Sequence, residues 1–598
     1  MKSFFKFVFA SCLGISVFFG LIILCLFVFG GIGSWMSEDE NEVKDGSVLF
    51  LEFDETIVDR ESENDVNFDF TGFGSEQSSG LNNILRQIER AKTDENIEGI
   101  YMEIVSVPTG MTTAEEIRDK LNEFKEESGK WVYTFSENMS QGAYYMASVS
   151  DSLFLYPEGG MEFKGLASEI LFMKGFFEKI GVEFQVIRPK NNSFKSAVEP
   201  FTLDKMSKSN RDQMEVLLGG IWDDMLLNIA SSRNISKSEL NRIADGMLAS
   251  DPKNALKLKM VDGLWYEDQV MDLLRERLGL EKGDKIPLVD LGEYSGKSKK
   301  AKGYMKREKI AVVYAVGGIE SGEGDDATIG SERIARGIRK ARADSSIKAV
   351  VLRVNSPGGS ALASDVILRE MSLTKGVKPL VVSMGDLAAS GGYYISCEAD
   401  RIFASENTIT GSIGVFGLVP NTQKMLNDKL GLTTDTVKTN EMADFYFGTR
   451  PFKPEEEAIL QDMVDNVYGT FVGKVANGRG LDSLRIADEL GQGRVWTGLQ
   501  AKDRGLVDEI GGLEKAMAYA AEKAGLEDYR VKSYPKMEDP FQKMLEDLGA
   551  NSNISVNGLI QQELGSEHFE LYQQIKELKK VANTKSIQMR IPYDIYIR

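Results

Sequence analysis

Apolar residues along this chain fall into short, nearly continuous runs, and the stretches between them repeat their apolar positions every three to four residues. The runs SVLFLEF (47–53), IEGIYMEIV (97–105), WVYTF (131–135) and SLFLY (152–156) read as strands. Between them, LNNILRQIERA (81–91) and residues 113–127 carry the helical period. Strands and helices in alternation predict a parallel sheet covered by helices, an α/β fold. The same order returns later, with strands at 309–316, 347–354 and 379–384 and helices at 334–343 and 363–371.

The recurrence is internal duplication. Residues 135–156 (FSENMSQGAYYMASVSDSLFLY) lie over residues 384–405 (MGDLAASGGYYISCEADRIFAS), so that Tyr144 and Tyr145 fall on Tyr393 and Tyr394. MVDG (260–263) echoes LVDE (506–509) in the same way. The expected organisation is an N-terminal repeat over 45–280, a Lys- and Gly-rich linker over 281–308 and a C-terminal repeat over 309–535. In the extension at 536–598, QQELGSEHFELYQQIKELKKV reads as an amphipathic helix presenting Leu564, Phe569, Leu571, Ile575 and Leu578.

Ahead of the repeats, residues 7–32 form one apolar run without a charge, long enough to cross a hydrocarbon core of about 30 Å. Lys2 and Lys6 precede it within a short segment (1–6), and the acidic stretch SEDENEVKD follows. That asymmetry predicts a retained single-pass anchor with a cytoplasmic N-terminus and a body outside the cytoplasm, at the inner (cytoplasmic) membrane.

Composition removes several functions. A net charge of -20 argues against a nucleic-acid partner, whose phosphates need basic surface. Of three cysteines, Cys12 and Cys25 lie in the apolar run and leave Cys397 alone in the body, so no disulfide forms there. The single histidine, His568, stands far along the chain from the candidate nucleophile described next, which argues against a Ser-His-Asp triad and against most zinc sites. A serine nucleophile in this chain would draw its base from a lysine.

The densest candidate chemistry is at 381–416. An apolar run ends at Gly385 and Asp386, and a helix-like segment begins near Ser390, followed directly by Gly391 and Gly392. A hydroxyl at such a turn, taken alone, is more often a plain helix cap than a nucleophile beside outward-pointing amides. RVNSPGGS (353–360) ends the preceding βα unit at the same edge of the sheet, where ligand sites form. The Gly359 and Gly391 amides can there make an oxyanion hole, and two ordinary βα loops account for the pattern as well. The first repeat has Gln141 in place of Ser390 and VPTGM (107–111) in place of SPGGS, so it cannot run the same chemistry alone.

NSPGGS, LAASGGYYI, TITGSIGVFG and GRVWTGLQAKDRGLVDEIGG (493–512), in that order, resemble the signal peptide peptidase A (protease IV) family in its long tandem form. SFKSAVEPFT (193–202) resembles that family's lysine motif. The resemblance spans about residues 45 to 530. It implies two tandem crotonase/Clp-protease-like α/β units. It also implies Ser390 as nucleophile, Lys195 as general base, Gly359 and Gly391 as oxyanion donors, and Ser412 as the residue that orients the lysine. Phe194, Ala197 and Val198 would desolvate the Lys195 amine, whereas Glu199 would act the other way.

The expected activity is that of a membrane-anchored serine endopeptidase with a Ser/Lys dyad. It would degrade hydrophobic peptides such as cleaved signal peptides, as a homotetramer, with no cofactor or metal. Two other functions are compatible with an α/β unit of this type, a non-catalytic ring-forming membrane scaffold and a crotonase-type acyl-CoA enzyme.

Overall fold

The computed structural model describes residues 43–53, 55–60, 78–296, 308–537 and 588–590. The two halves of the chain each build a sheet. In the first, six parallel strands run in the order Gly263–Leu264, Ser152–Met161, Trp131–Met139, Ile97–Glu103, Ser47–Glu52 and Leu288–Asp290. The second centres on Lys309–Val316, Ile347–Ser356 and Leu380–Ala389, again parallel, with Arg530–Tyr534 on one side and Arg401–Ala404 and Ile409–Gly411 on the other.

Why the strands read as continuous apolar runs is visible in their two faces. Ala311, Val313, Val350 and Leu352 pack beneath the helices Ser331–Ala343 and Ala361–Thr374, through Ile334, Ile338, Ile367 and Met371. Their neighbours Ile310, Val312, Ala349 and Val351 face the opposite way, onto Leu513, Ala516 and Ala520 of the helix Leu513–Ala524. A sheet covered on both sides has no polar face to alternate with. The first repeat divides its residues likewise, Leu49 and Ile100 to one face and Val48 and Tyr101 to the other.

Two expectations change. The strand leading to Ser390 does not end at Gly385 and Asp386 but runs to Ala389, because it changes partner there. It pairs with Arg401–Ala404 up to Met384 and with Ile409–Gly411 from Leu387 onward. The segment read as a linker at 281–308 supplies an edge strand, Leu288–Asp290, and the helix Leu291–Gly296 to the first repeat. In the extension at 536–598, the described residues form a strand, Gln588–Arg590, and the expected helix lies outside the described residues. The apolar run 7–32 also lies outside them. Among the described residues, no helix is long and apolar enough to cross a membrane.

The repeats meet along a buried, polar seam. Arg353, fully buried, donates from Nε to Asp59 Oδ1 and from Nη2 to Glu116 Oε1, each at 2.7 Å, and both carboxylates belong to the first repeat. Thr113 of the first repeat donates its backbone N–H and its hydroxyl to the two carboxylate oxygens of Asp386, at 3.0 and 2.6 Å. A Cβ on Gly110 would stand 2.2 Å from that carboxylate, so the turn that replaces SPGGS in the first repeat is shaped to receive the second. Glu183–Ile187 of the first repeat then pairs antiparallel with Gly417–Asn421 of the second. That ladder carries the chain of the first repeat toward Ser390.

Candidate active site

Ser390 caps the short helix Gly391–Ser396 with φ 55° and ψ -111°, outside the regions that L-residues ordinarily occupy. Its backbone N–H donates to Gly411 O at 2.8 Å, and its carbonyl accepts the first helical bond, from Tyr394 N at 2.8 Å. Ser412 is the second serine held at positive φ, at 50°. Such backbones cost on the order of 1–3 kcal/mol each and persist where surrounding structure over-determines them. Here the two strained serines face a single amine.

That amine is Lys195 Nζ, which lies 2.8 Å from Ser390 Oγ, 2.9 Å from Ser412 Oγ and 3.2 Å from Ser412 O. Lys195 is 2% exposed. It enters the site just before the turn Ser196–Val198, whose Ala197 and Val198 belong to an apolar cluster with Phe201 and Phe416. Burial lowers its pKa well below the ordinary lysine value, with no opposing charge to raise it. Glu199, four residues on, is occupied elsewhere: its Oε2 accepts from Ser207 N at 3.1 Å and Asn210 Nδ2 at 2.9 Å.

A neutral amine has two N–H groups and one lone pair. The donors fit Ser412 O and Ser412 Oγ, and the lone pair then accepts the Ser390 hydroxyl. Ser412 passes its own proton on to Gly493 O at 3.3 Å, which completes the chain of bonds. The arrangement can therefore draw a proton from Ser390 without any imidazole.

The glycine turn lies against the same serine. Gly358–Ser360 is a three-residue strand beside Gly318–Glu320, and a Cβ on Gly391 would stand 3.1 Å from Gly359 N. Gly391 opens its helix, where an N–H has no carbonyl one turn back to receive it. The Gly359 and Gly391 amides are thus neighbours next to the nucleophile position, and a developing oxyanion there meets donors that need not reorganise.

All five residues singled out in the sequence come together: Ser390, Lys195, Ser412, Gly359 and Gly391. Gln141, at the Ser390 position of the first repeat, is a structural peg whose Oε1 accepts from Lys164 N and Gly165 N, both at 2.9 Å. Two glycines of the site carried no role in the sequence reading. Gly493 has φ +78°, and a Cβ on it would lie 2.5 Å from Lys195 Cβ, so only glycine lets the lysine pass. It opens the GRVWTG run, the signal from which it was legible. Gly358, at φ +95°, lets the turn close over Gly391 N.

A profile of peptidase family S49 matches residues 124–281 and 372–527, once in each repeat. Protease 4 of Salmonella typhi is 36% identical over 87% of this chain and 85% of its own length. Protease 4 of Haemophilus influenzae is 37% identical over 72% of this chain and 71% of its own. The chloroplastic serine protease SPPA of Arabidopsis thaliana is 35% identical over 73% of this chain and 64% of its own. A profile found in both repeats, and relatives aligned across most of the chain, establish that it belongs to peptidase family S49 and is a serine protease.

Proposed function

We propose that the protein is a membrane-tethered endopeptidase that degrades hydrophobic peptides, cleaved signal peptides foremost, with a Ser390/Lys195 dyad. The observation that carries the reading is the 2.8 Å approach of a buried lysine amine to a strained serine hydroxyl. Lys195 takes the Ser390 proton as Oγ attacks the peptide carbonyl, and the Gly359 and Gly391 amides hold the oxyanion. The ammonium returns that proton to the departing amine, leaving an acyl-enzyme on Ser390. Lys195 then deprotonates the water that hydrolyses it.

Ser412 acts through Lys195 as a positioning residue. Ser412→Ala should lower kcat by about 100-fold through loss of alignment, with KM little changed. The variant also removes an acceptor that stabilises the ammonium, so the acidic limb of the pH profile of kcat/KM should move to lower pH. A merely structural role would leave that limb in place.

The apolar run 7–32, with lysines before it and acidic residues after it, supports a tether that leaves the body outside the cytoplasm. The family resemblance supports a homotetramer that encloses its sites. The test is cleavage by the full chain in detergent micelles, read by mass spectrometry, of a synthetic signal peptide beside a folded globular protein. The peptide should be cut within its apolar core and the folded protein left intact. Equal attack on the folded protein, or cleavage only of polar peptides, would remove the substrate assignment.

A further inference from the structure

Every polar contact of Lys195 Nζ among the described residues is made with the second repeat, at Ser390 and Ser412. The repeat that carries Lys195 therefore sets where the amine stands through the backbone alone. A lysine stem is long and flexible, so slack at its Cα reaches Nζ as a misaligned base. What holds that backbone is a side-chain amide that the proton transfer itself does not use.

Gln213, buried on the helix Lys208–Arg233, brackets Lys195. Its Nε2 donates to Phe194 O at 3.0 Å and to Ser196 Oγ at 3.2 Å, on the residues immediately before and after the lysine. Its Oε1 accepts from Val495 N of the second repeat at 3.5 Å, two residues past the Gly493 that the lysine passes. A carbonyl takes only the NH2 end of an amide and an N–H only the oxygen, so the group has one orientation here. Its mount is fixed in turn. Nε2 also reaches Asn210 Oδ1 at 3.2 Å, and Asn210 Nδ2 donates to Glu199 Oε2 at 2.9 Å. Glu199 Oε2 accepts Ser207 N as well, and Ser207 caps the helix. The buried Glu199 carboxylate thus lies at the helix end whose amides have no carbonyl one turn back. On the other side of the lysine, buried Asn192 donates from Nδ2 to Val415 O at 2.9 Å, between Ser412 and Phe416.

From this bracket we infer that Gln213 is a positioning residue for the general base, mounted on Asn210 and Glu199. It fixes the backbone on both sides of Lys195, and with it the place of Nζ between Ser390 and Ser412. The inference rests on the Ser390/Lys195 dyad and adds how one repeat keeps its lysine in register with the serines of the other. It also gives the glutamate of SFKSAVEPFT a task directed away from the amine.

The test uses the full chain in detergent micelles, a synthetic signal peptide as substrate and a fluorophosphonate to count Ser390 sites. Gln213→Met keeps an unbranched chain but has no donor. Its kcat per titrated site should fall about 10–100-fold, with KM within about two-fold of native. The acidic limb of kcat/KM should move to higher pH, because an amine released from its dry seat regains part of its ordinary pKa. A merely structural role would change the number of titrated sites and leave kcat per site and that limb in place. Gln213→Glu guards against a variant that does not fold. It keeps the shape and an acceptor for Val495 N, loses the donor to Phe194 O and adds a charge. It should lose kcat alike and move the limb further to higher pH. Native kcat per site in either folded variant, a limb that stays put, or a raised KM at native kcat would overturn the inference. Lys195→Met keeps the two readings apart. If it retains native activity the dyad fails, whereas an inactive Lys195→Met beside an unimpaired Gln213→Met removes the bracket alone.

Discussion

Replacing Lys195 by methionine should abolish peptide cleavage and at the same time make the protein more stable. The loss follows from removing the group that takes the Ser390 proton at 2.8 Å, and kcat should drop by at least about 1,000-fold. The gain follows from linkage. Burial depresses the folded pKa of Lys195 well below the ordinary value of 10.5, so between those two pKa values the unfolded chain binds a proton that the folded one refuses. The penalty is therefore absent above the unfolded pKa and grows as pH falls through that window, which takes in neutral pH if the amine is to serve as a base there. Methionine keeps an unbranched chain in the buried position of Lys195 and carries no proton to withhold. Its Tm at neutral pH should exceed that of the native chain by about 1 °C for each kcal/mol gained. Ser390→Ala should be equally inactive without that pH-dependent gain, because it leaves the buried amine in place. Thermal unfolding of the three proteins at neutral and alkaline pH, alongside peptide cleavage, separates the effects. Residual activity in Lys195→Met near the native level would place the base elsewhere, and a lower Tm would show that the amine contributes more by its hydrogen bonds than burial costs.

The second large effect is expected at the seam. Arg353→Met should destabilise the protein by about 3–5 kcal/mol, because Asp59 and Glu116 would remain buried without their cation. Arg353 also donates from Nη1 to Ser383 Oγ at 2.9 Å, in the strand Leu380–Ala389 that leads to Ser390. Activity should fall with stability, since Lys195 comes from one repeat and Ser390 from the other. Adding Asp59→Asn and Glu116→Gln to Arg353→Met replaces the stranded carboxylates by neutral groups and should recover more than half of the lost stability. Chemical denaturation of the single and triple variants decides the matter. If the triple variant is no more stable than Arg353→Met, the cost lies in lost packing and not in uncompensated charge.

The acyl-CoA and scaffold functions that the α/β unit alone allowed give way to the peptidase through family membership, not through the fold. Within the site, legibility varied residue by residue. Ser390 stood out because a hydroxyl beside two glycines follows an apolar strand, and the lack of a nearby histidine pointed to a lysine base. Composition could not say which lysine. Lys195 sits in a sequence with a carboxylate four residues on, and only the three-dimensional arrangement turns Glu199 toward Ser207 and Asn210 and away from the amine.

The sequence by itself determined the doubled α/β architecture, because buried strands need continuous apolar runs and helices need their period wherever the chain folds. It also determined which residue types were on hand for catalysis. Tertiary structure decided everything that depends on approach between distant segments. The passage of Lys195 past Gly493, the run of the Ser390 strand through Gly385 and Asp386 and the buried Arg353 seam are all of this kind. Local pattern records how a segment meets its own neighbours in the chain. Burial, pKa and strand pairing at this site are set by partners hundreds of residues away, which no local pattern encodes.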